Sequence, residues 1–166
     1  MNAISIRFEK SGDGAAIHAL TAAAFADMPF SAGDEPELVD ALRAAGDLSL
    51  SLVAVNAAAI VGHIAFSQVT ISDGSRAWFG LGPVSVAPVF QRLGIGSALI
   101  KRGLADMRER GARGIVLLGS PAYYSRFGFE NDPKLCYPGP PPPYFQRLVL
   151  TGKAPSGVVT YVAAFG

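Results

Sequence analysis

Cysteine and charge are both scarce in this sequence. Of 166 residues only Cys136 is a cysteine, so no internal disulfide can form and a metal site built on cysteines is excluded. We expect no bound metal. A lone cysteine suits a reducing compartment, and we expect a cytoplasmic protein. Charged residues make up 16% of the chain and the net charge is +1, which predicts no binding surface for nucleic acid.

Charge is entirely absent between Asp47 and Asp73. A run of that length raises the question of a membrane span, but polar residues such as Asn56 and His63 interrupt it. Leucines alternate with serines over 48–52, which is the pattern of a half-buried strand. We therefore predict two strands joined near Asn56 and no association with a membrane.

The length and an apolar share of 50% predict one folded domain over 1–166. The pattern gives about seven strands and four helices in the order β-α-α-β-β-β-α-β-α-β-β. We predict strands near 3–8, 48–55, 59–71, 77–86, 114–119, 145–150 and 157–165, a further short strand beginning at Phe129, and helices after Asp13, after Asp34, over 94–110 and over 121–127. The antiparallel meander in the middle predicts a mixed α/β sheet and not a doubly wound parallel one.

Local signals sharpen some of these boundaries. Asp13 is placed to cap the first helix, and Asp34 followed by Glu37 has the spacing of a capping box. Pro83 has no amide hydrogen for a sheet ladder, so its strand should be irregular there, with a bulge.

A turn with two glycines, Gly94 and Gly96, joins the strand that ends near Val86 to the long helix. Glycines let a ligand approach the main chain without a Cβ in the way. The first turn of a helix leaves amide groups unpaired and carries the positive end of the dipole. Together these features predict an anion site, most naturally for a phosphate or pyrophosphate.

Three classes of phosphate ligand compete for this turn. A P-loop for ATP or GTP needs a glycine followed by Lys and Ser or Thr at fixed spacing, and no such run occurs. A dinucleotide fold needs a third small residue, where Leu99 stands, and an acid about 20 positions later, where 118–120 has none. The pyrophosphate of coenzyme A asks only for main-chain amides and a preceding strand with free hydrogen-bonding groups. These comparisons favour coenzyme A.

The residues around this turn resemble a known family. The segment 84–99, with 91–96 reading Gln-Arg-Leu-Gly-Ile-Gly, resembles the coenzyme-binding motif of the GNAT acetyltransferase superfamily. Farther on, 124–129 resembles that superfamily's Tyr-x-x-x-Gly-Phe. The segments 80–88 and 121–124 and a proline-rich loop at 138–143 are similar to a bacterial branch called YhbS-like. The element order also resembles the GNAT fold over nearly the whole chain.

The resemblance implies an N-acetyltransferase that binds acetyl-CoA in a splayed gap between the strand 81–86 and the strand 114–119. Direct transfer to an amine, without a covalent enzyme intermediate, is the mechanism it implies. Main-chain groups of 84–86 would hold the pantetheine arm, and amides of 92–97 the pyrophosphate. The implied cofactor-binding residues are Val84, Ser85, Val86, Gln91, Arg92, Leu93, Gly94, Ile95, Gly96 and Ser97.

The implied catalytic residue is Tyr124, as the acid for the leaving thiolate. A phenol has an ordinary pKa of about 10, so it is protonated and able to donate at neutral pH. Tyr123 is its rival, and because adjacent helical residues point about 100° apart, both cannot face the sulfur. The spacing to Gly128 and Phe129 favours Tyr124.

The general base is not evident from the sequence. Many relatives carry a carboxylate on the strand equivalent to 77–86, and this chain has neither Asp nor Glu between 74 and 105. Candidates elsewhere are Asp27, Asp34, Glu35, Glu37, His63 and Glu130. We expect His63 to be a hydrogen-bonded strand histidine, and the proton to leave through ordered water or the amine to arrive neutral. The missing carboxylate also leaves open a degenerate module that binds coenzyme A without turnover.

The acceptor is a small-molecule or peptide amine that the sequence does not identify further. Loops near 27–36 and 137–145 should shape its pocket. Candidate walls, which could equally be core residues, are Met28, Phe30, Tyr137, Tyr144 and Phe145. Exposed strands leave a homodimer open.

Overall fold

A computed structural model describes residues 3–29 and 31–166 of the chain. It holds two compact units. The first unit contains the chain before Ser67 together with Gly82–Ala105, and the second contains Ser67–Leu81 and Asp106–Gly166. The predicted wall residue Phe30 lies outside the described residues.

Within the described residues, eight strands and four α-helices alternate in mixed order. They are β1 (Ser5–Phe8), α1 (Gly14–Phe25), α2 (Glu35–Ala44), β2 (Leu50–Asn56), β3 (Ala59–Ile71), β4 (Trp78–Val86), α3 (Ile95–Glu109), β5 (Gly114–Leu118), α4 (Pro121–Tyr124), β6 (Leu135–Cys136), β7 (Phe145–Val149) and β8 (Gly157–Tyr161). The strand order is β1-β2-β3-β4-β5-β7, with β8 paired to both β3 and β6. β4 runs parallel to β5, and β7 runs antiparallel to β5. The predicted mixed sheet is therefore confirmed.

The predicted count of about seven strands is one short. The extra strand, β6, is only two residues long and lies in a loop, where no periodicity can reveal it. The strand expected to begin at Phe129 is reduced to a single bridge between Glu130 and Arg147. The last strand also ends earlier than predicted, because Ala163–Phe165 forms a 3-10 turn.

In the first unit, the N-terminal part of α3 packs closely onto β3. A Cβ on Gly62 would lie 3.0 Å from side-chain atoms of both Ile95 and Leu99. A Cβ on Gly103 would lie 2.6 Å from the ring of Phe66. These two glycines bring the helix close to the strand and so fix where its first turn lies. On another part of the unit, α1 and α2 contribute Ile17 and Val39 to a fully buried cluster with Val53 of β2.

In the second unit, a core of large side chains lies on one face of β5 and β7. Its buried members are Val69, Ile71, Trp78, Val116, Leu135, Phe145 and Val159. Gly114 allows the ring of Trp78 to pass, since a Cβ there would lie 2.1 Å from it. Tyr137 packs against this core and Phe145 is 3% exposed, so two of the predicted pocket walls are core residues.

Both predicted acidic helix caps are wrong in their chemistry. Asp13 occupies the cap position of α1 but makes no capping bond. Its carboxylate accepts instead from the Arg7 side chain and from the Lys10 amide, each at 2.8 Å. Asp34 precedes α2 and likewise makes no side-chain cap bond, so the capping box with Glu37 does not form. The Asp13 carboxylate therefore binds Arg7 and Lys10 instead of the amides of the helix it precedes.

Gly82, beside the predicted position Pro83, has a φ of +140°, which is irregular for a strand, while the bulge itself stays a prediction. A residue with a Cβ rarely adopts that conformation, so glycine suits the position before Pro83. This break separates the part of β4 that pairs with β5, at Trp78–Gly80, from the part that carries Val84–Val86.

Candidate active site

The glycine turn and the start of α3 form an open set of main-chain amides. The amide of Ala98 donates to the Gly94 carbonyl at 3.0 Å and begins the helical ladder. The amides of Ile95, Gly96 and Ser97 therefore belong to the unpaired first turn of a 15-residue helix. The positive end of its dipole favours an anion at this place.

The turn before the helix twice enters the left-handed region. Arg92 has φ +65° and Gly94 has φ +87°. Residues that alternate in this way direct successive amides into a concave nest, which binds anions. The four residues 91–94 are exposed, so a ligand can reach the nest. The charge of the Arg92 guanidinium adds to the attraction for a phosphate.

The segment Val84–Val86 lies at the end of β4, ahead of this turn. Val84 and Val86 are half-buried and Ser85 is 2% exposed. The carbonyl of Val86 accepts a hydrogen bond from the Gln91 side-chain amide at 3.0 Å. This bond connects the turn to the end of β4. Within the described chain, the Ser85 hydroxyl is buried and has no hydrogen-bond partner.

Tyr124, in the second unit, ends the short helix α4. Its ring lies against Gly119, where a Cβ would be only 2.4 Å away. Tyr123 meets it edge-to-face with the ring centroids 5.0 Å apart. Burial, and to a smaller degree Tyr123, raise the pKa of Tyr124 to about 12. The phenol is therefore a proton donor and not a base across the physiological range.

The rival, Tyr123, has a different setting. The guanidinium of Arg126 lies 4.6 Å from the centre of its ring, which is a cation–π arrangement. The N-terminal turn of α4 is capped by Ser120, whose hydroxyl accepts from the Tyr123 amide. Because the two tyrosines are neighbours on a helix, their rings take different directions, as expected.

Sequence reasoning missed Gln146, a buried carboxamide beside Tyr124's partner Gly119. Gln146 lies on β7 and is 1% exposed. Its side-chain nitrogen donates to the Gly119 carbonyl at 3.0 Å, and its side-chain oxygen has no partner within the described residues. The sequence shows Gln146 only as one of two adjacent polar residues in the segment 145–150, which predicts a strand and no role for its side chain.

His63 also belongs to a polar network inside the first unit. It is fully buried, and its Nε2 lies 2.8 Å from the Ser51 hydroxyl. Ser51 donates to Glu9 at 2.7 Å, and Arg43 forms two bonds of 2.8 Å to the same carboxylate. Burial lowers the pKa of His63 to about 4, so it is neutral at physiological pH. The expected strand histidine with a hydrogen bond is what the structure contains, and its partner comes from β2.

The carboxylates considered as bases have other contacts or surface positions. Ser31 donates to Glu35 at 2.5 Å, and Glu130 accepts from Arg147 at 3.0 Å. A cavity of about 360 Å³ lies beside the α1–α2 loop and is lined in part by Met28, which is 45% exposed, and Glu37. No cluster of three metal-ligating side chains occurs within 3–29 and 31–166.

The predicted site residues therefore fall into two sets. Val84–Val86 and the turn 91–97 belong to the first unit, and Tyr124 belongs to the second. The first set presents main-chain amides that suit an anion, and the second is a half-buried phenol whose ring lies on Gly119, the residue to which the Gln146 side chain donates.

These features define the chain as a member of the GNAT acetyltransferase family. The family described as "Acetyltransferase (GNAT) domain" matches residues 5–131, and the chain is accordingly an acyltransferase. The Escherichia coli (strain K12) protein "Uncharacterized N-acetyltransferase YhbS" is 36% identical over 115 residues, which cover 66% of this chain and 69% of that protein.

Solved structures agree on the fold. A GNAT family acetyltransferase from Brucella melitensis, in complex with acetyl-CoA, has 47% identity and a TM-score of 0.89, and the match covers 100% of both chains. The Escherichia coli GNAT family N-acetyltransferase YhbS, in complex with CoA, has 32% identity and a TM-score of 0.91 over 99% of this chain and 93% of that one. The mixed α/β GNAT fold is confirmed.

None of the helices in the described part of the chain combines the length and apolar character that a membrane span requires.

Proposed function

We propose that this chain is a single-domain cytoplasmic N-acetyltransferase that moves an acetyl group from acetyl-CoA to an amine. The observation that carries the proposal is the open set of amides from Arg92 to Ser97 at the start of α3. Pyrophosphate is the part of acetyl-CoA that such a nest suits, since it accepts several amide hydrogens at once. The acetyl-CoA and CoA complexes of the Brucella melitensis and Escherichia coli relatives support the same ligand.

The proposed reaction is a direct displacement. The neutral amine nitrogen attacks the thioester carbon, and the carbonyl oxygen becomes an oxyanion that a main-chain amide of Val84–Val86 stabilises. The carbon–sulfur bond then breaks. Tyr124 donates its proton to the leaving thiolate, the nitrogen loses a proton to solvent, and Tyr124 regains a proton from solvent. No covalent enzyme intermediate forms, because the amine attacks the thioester directly.

Ligand-induced thermal stabilisation tests the coenzyme. At a hundredfold excess over Kd a ligand adds about 2.7 kcal/mol, which is roughly 5–10 °C in Tm for a chain of this length. We expect acetyl-CoA to give such a shift, and NAD or ATP to give none. A shift with ATP or NAD and none with acetyl-CoA would refute the proposal.

Two glycines of the first unit allow a matched control. Gly94 and Gly12 have φ of +87° and +95°, and a Cβ on either would meet nothing within 4 Å. Valine at either position is strained by about the same amount, because the conformation is the same. We expect Gly94→Val to abolish the shift with acetyl-CoA and Gly12→Val to retain it.

The second candidate is a module that binds coenzyme A without turnover, favoured by the missing carboxylate on β4. Release of free thiol from acetyl-CoA in the presence of a panel of amines separates the two. Amine-dependent thiol release supports the enzyme. A normal thermal shift without thiol release, for every amine of the panel, supports the binding module.

A further inference from the structure

The side-chain nitrogen of Gln146 donates a hydrogen bond, whereas its side-chain oxygen accepts none from the described residues. Its nitrogen lies 3.0 Å from the Gly119 carbonyl and 3.5 Å from the Tyr144 carbonyl. Two carbonyls cannot face an amide oxygen, so the assignment of nitrogen and oxygen is fixed by the partners. The oxygen therefore points away from both carbonyls. It is buried and has no donor among the described residues.

A buried carbonyl oxygen without a donor is rare and requires an explanation. The partners of the other end indicate where a donor could come from. Gly119 is half-buried, and Tyr144 is 49% exposed. The backbone to which the Gln146 side chain binds therefore borders solvent, although the oxygen itself is buried.

Strand geometry places Gln146 on the same side of the sheet as the catalytic candidate. Gln146 and Leu148 are two residues apart on β7 and so share a face. Leu148 is the neighbour of Gly128, since a Cβ there would lie 3.1 Å from it. Gly128 follows the turn that carries Tyr124, and the Tyr124 ring itself lies on Gly119, the residue that Gln146 binds. The Gln146 side chain and the Tyr124 ring thus both contact Gly119.

Two carboxylates near β7, those of Glu130 and Asp132, pair with Arg147. Arg147 is the next residue and points to the opposite face. It holds Glu130 at 3.0 Å and Asp132 at 2.9 Å. Gln146, the polar residue of β7 on the face that it shares with Leu148, offers an uncharged carbonyl, which binds an N–H without favouring a cation over a neutral amine.

We propose that the side-chain oxygen of Gln146 binds the N–H of the acceptor amine, and that the acceptor is an amine of low basicity such as an α-amino group. The inference rests on the proposed function. The sequence has no Asp or Glu on the strand 77–86, where many relatives carry a catalytic carboxylate, so the proposed reaction depends on amine that is already neutral. At pH 7.5 about a third of an α-amine with a pKa near 7.8 is neutral, against about 0.1% of a lysine ε-amine.

Steady-state kinetics with two defined probes tests both parts. The probes are alanylalaninamide, which has a free α-amine, and Nα-acetyllysinamide, which has only the ε-amine. With acetyl-CoA at pH 7.5 we expect kcat/KM for the α-amine to exceed that for the ε-amine by at least about 100-fold, following the neutral fractions. Equal use of the two probes, or no turnover of alanylalaninamide, would overturn the assignment of the amine class.

Variants of Gln146 test the oxygen itself. Gln146→Met keeps the shape but loses both hydrogen-bonding ends, and should lower kcat/KM for alanylalaninamide about 30-fold while the thermal shift with acetyl-CoA is retained. Gln68→Met, on an exposed glutamine of β3, is the matched control and should change neither. A change of less than twofold for Gln146→Met would contradict the proposal.

Gln146→Glu separates the role from simple packing. A protonated Glu can donate to the Gly119 carbonyl and still present an oxygen to the amine, whereas an ionised Glu cannot donate. The ratio of its kcat/KM to that of the native protein should therefore fall as pH rises. A ratio independent of pH would argue against the proposed contact. If acetyl-CoA gave no thermal shift with the native protein, the proposed function would fail instead.

Discussion

The Nε2 atom of His63 donates to the Ser51 hydroxyl over 2.8 Å, and this bond fixes the tautomer of the buried ring. Glu9 is a carboxylate that only accepts, so Ser51 uses its own hydrogen for the 2.7 Å bond to Glu9. The hydrogen between His63 and Ser51 must then come from Nε2. The Nδ1 atom keeps its lone pair, and it has no partner in the described part of the chain.

This neutral histidine should make the protein sensitive to mild acid. Burial lowers the pKa of His63 to about 4 from an ordinary value of 6.5, the nearby Glu9 offsetting part of the effect. Between these values the unfolded chain binds a proton that the folded chain does not, so stability falls as pH drops. We expect a loss of about 2 kcal/mol between pH 7 and pH 5, measured by urea unfolding.

Substitution of each histidine shows which one causes the loss of stability between pH 7 and pH 5. His63→Gln should remove most of the pH dependence over this range, whatever it does to stability at pH 7. His18→Gln should leave the dependence in place, because that side chain is 40% exposed and can stay hydrated. An unchanged pH slope in His63→Gln would contradict the assignment.

The ion pair at the end of this network should be worth more than one at the surface. The side chains of Glu9 and Arg43 are 15% and 29% exposed. Because the pair is largely buried, removal of one charge leaves the other without a partner and poorly hydrated, which destabilises the fold. We expect Glu9→Gln to cost about 2 kcal/mol of unfolding free energy. Glu130→Gln is the comparison, because Glu130 also pairs with an arginine but is 66% exposed, and it should cost under about 0.5 kcal/mol. Similar losses in the two variants would show that burial does not decide the difference.

Removal of the Tyr124 hydroxyl should slow the chemical step. Tyr124→Phe keeps the ring on Gly119 and should lower kcat about 100-fold, with acetyl-CoA binding intact. Tyr123→Phe should stay within about threefold of the native rate. Because the pKa of Tyr124 is raised to about 12, the phenol stays protonated and no loss of activity below pH 10 should arise from it. Full activity in Tyr124→Phe would move the role to another group.

A side chain at Gly119 should displace the Tyr124 ring and so lower kcat, although the Tyr124 hydroxyl is retained. A Cβ on Gly119 would lie 2.4 Å from the Tyr124 ring, and a Cβ on Gly80 would lie 2.5 Å from the Tyr161 ring. Both Gly→Ala variants should lose about 1–3 kcal/mol of stability from overpacking. Only Gly119→Ala should also lower kcat per folded molecule, measured well below both melting temperatures. Equal kcat in the two variants would count against a role for Tyr124.

The fold was predictable wherever one periodicity extended over several turns or residues. The helix predicted over 94–110 is α3, whose apolar stripe from Ile95 to Met107 repeats over almost four turns and is buried. The helix caps were not predictable in the same way. Asp13 prefers Arg7, and Arg7 lies on a different element whose position depends on the whole sheet. The turn after Asn56 was predicted in position but not in conformation, because alanine gives no signal for the positive φ that Ala57 and Ala58 adopt.

The site was predictable on its main-chain side only. Glycines and helix starts have a local signature, so the turn at 91–97 could be found from the sequence. Gln146 could not be recognised, because its importance depends on Gly119, 27 residues earlier, and on a backbone contact that no pattern encodes. The resemblance that identified Tyr124 includes no partner for the acceptor amine.

The close contact between Gly62 and Ile95 has a consequence for binding affinity. Ile95 is the first residue of α3 and is 5% exposed, so the helix start cannot swing away from the sheet. An anion that arrives there finds its amides already oriented and loses little of its binding free energy to ordering the chain. A larger side chain at position 62 should displace Ile95 and so weaken the proposed binding of coenzyme at the turn, although position 62 would not itself contact the ligand.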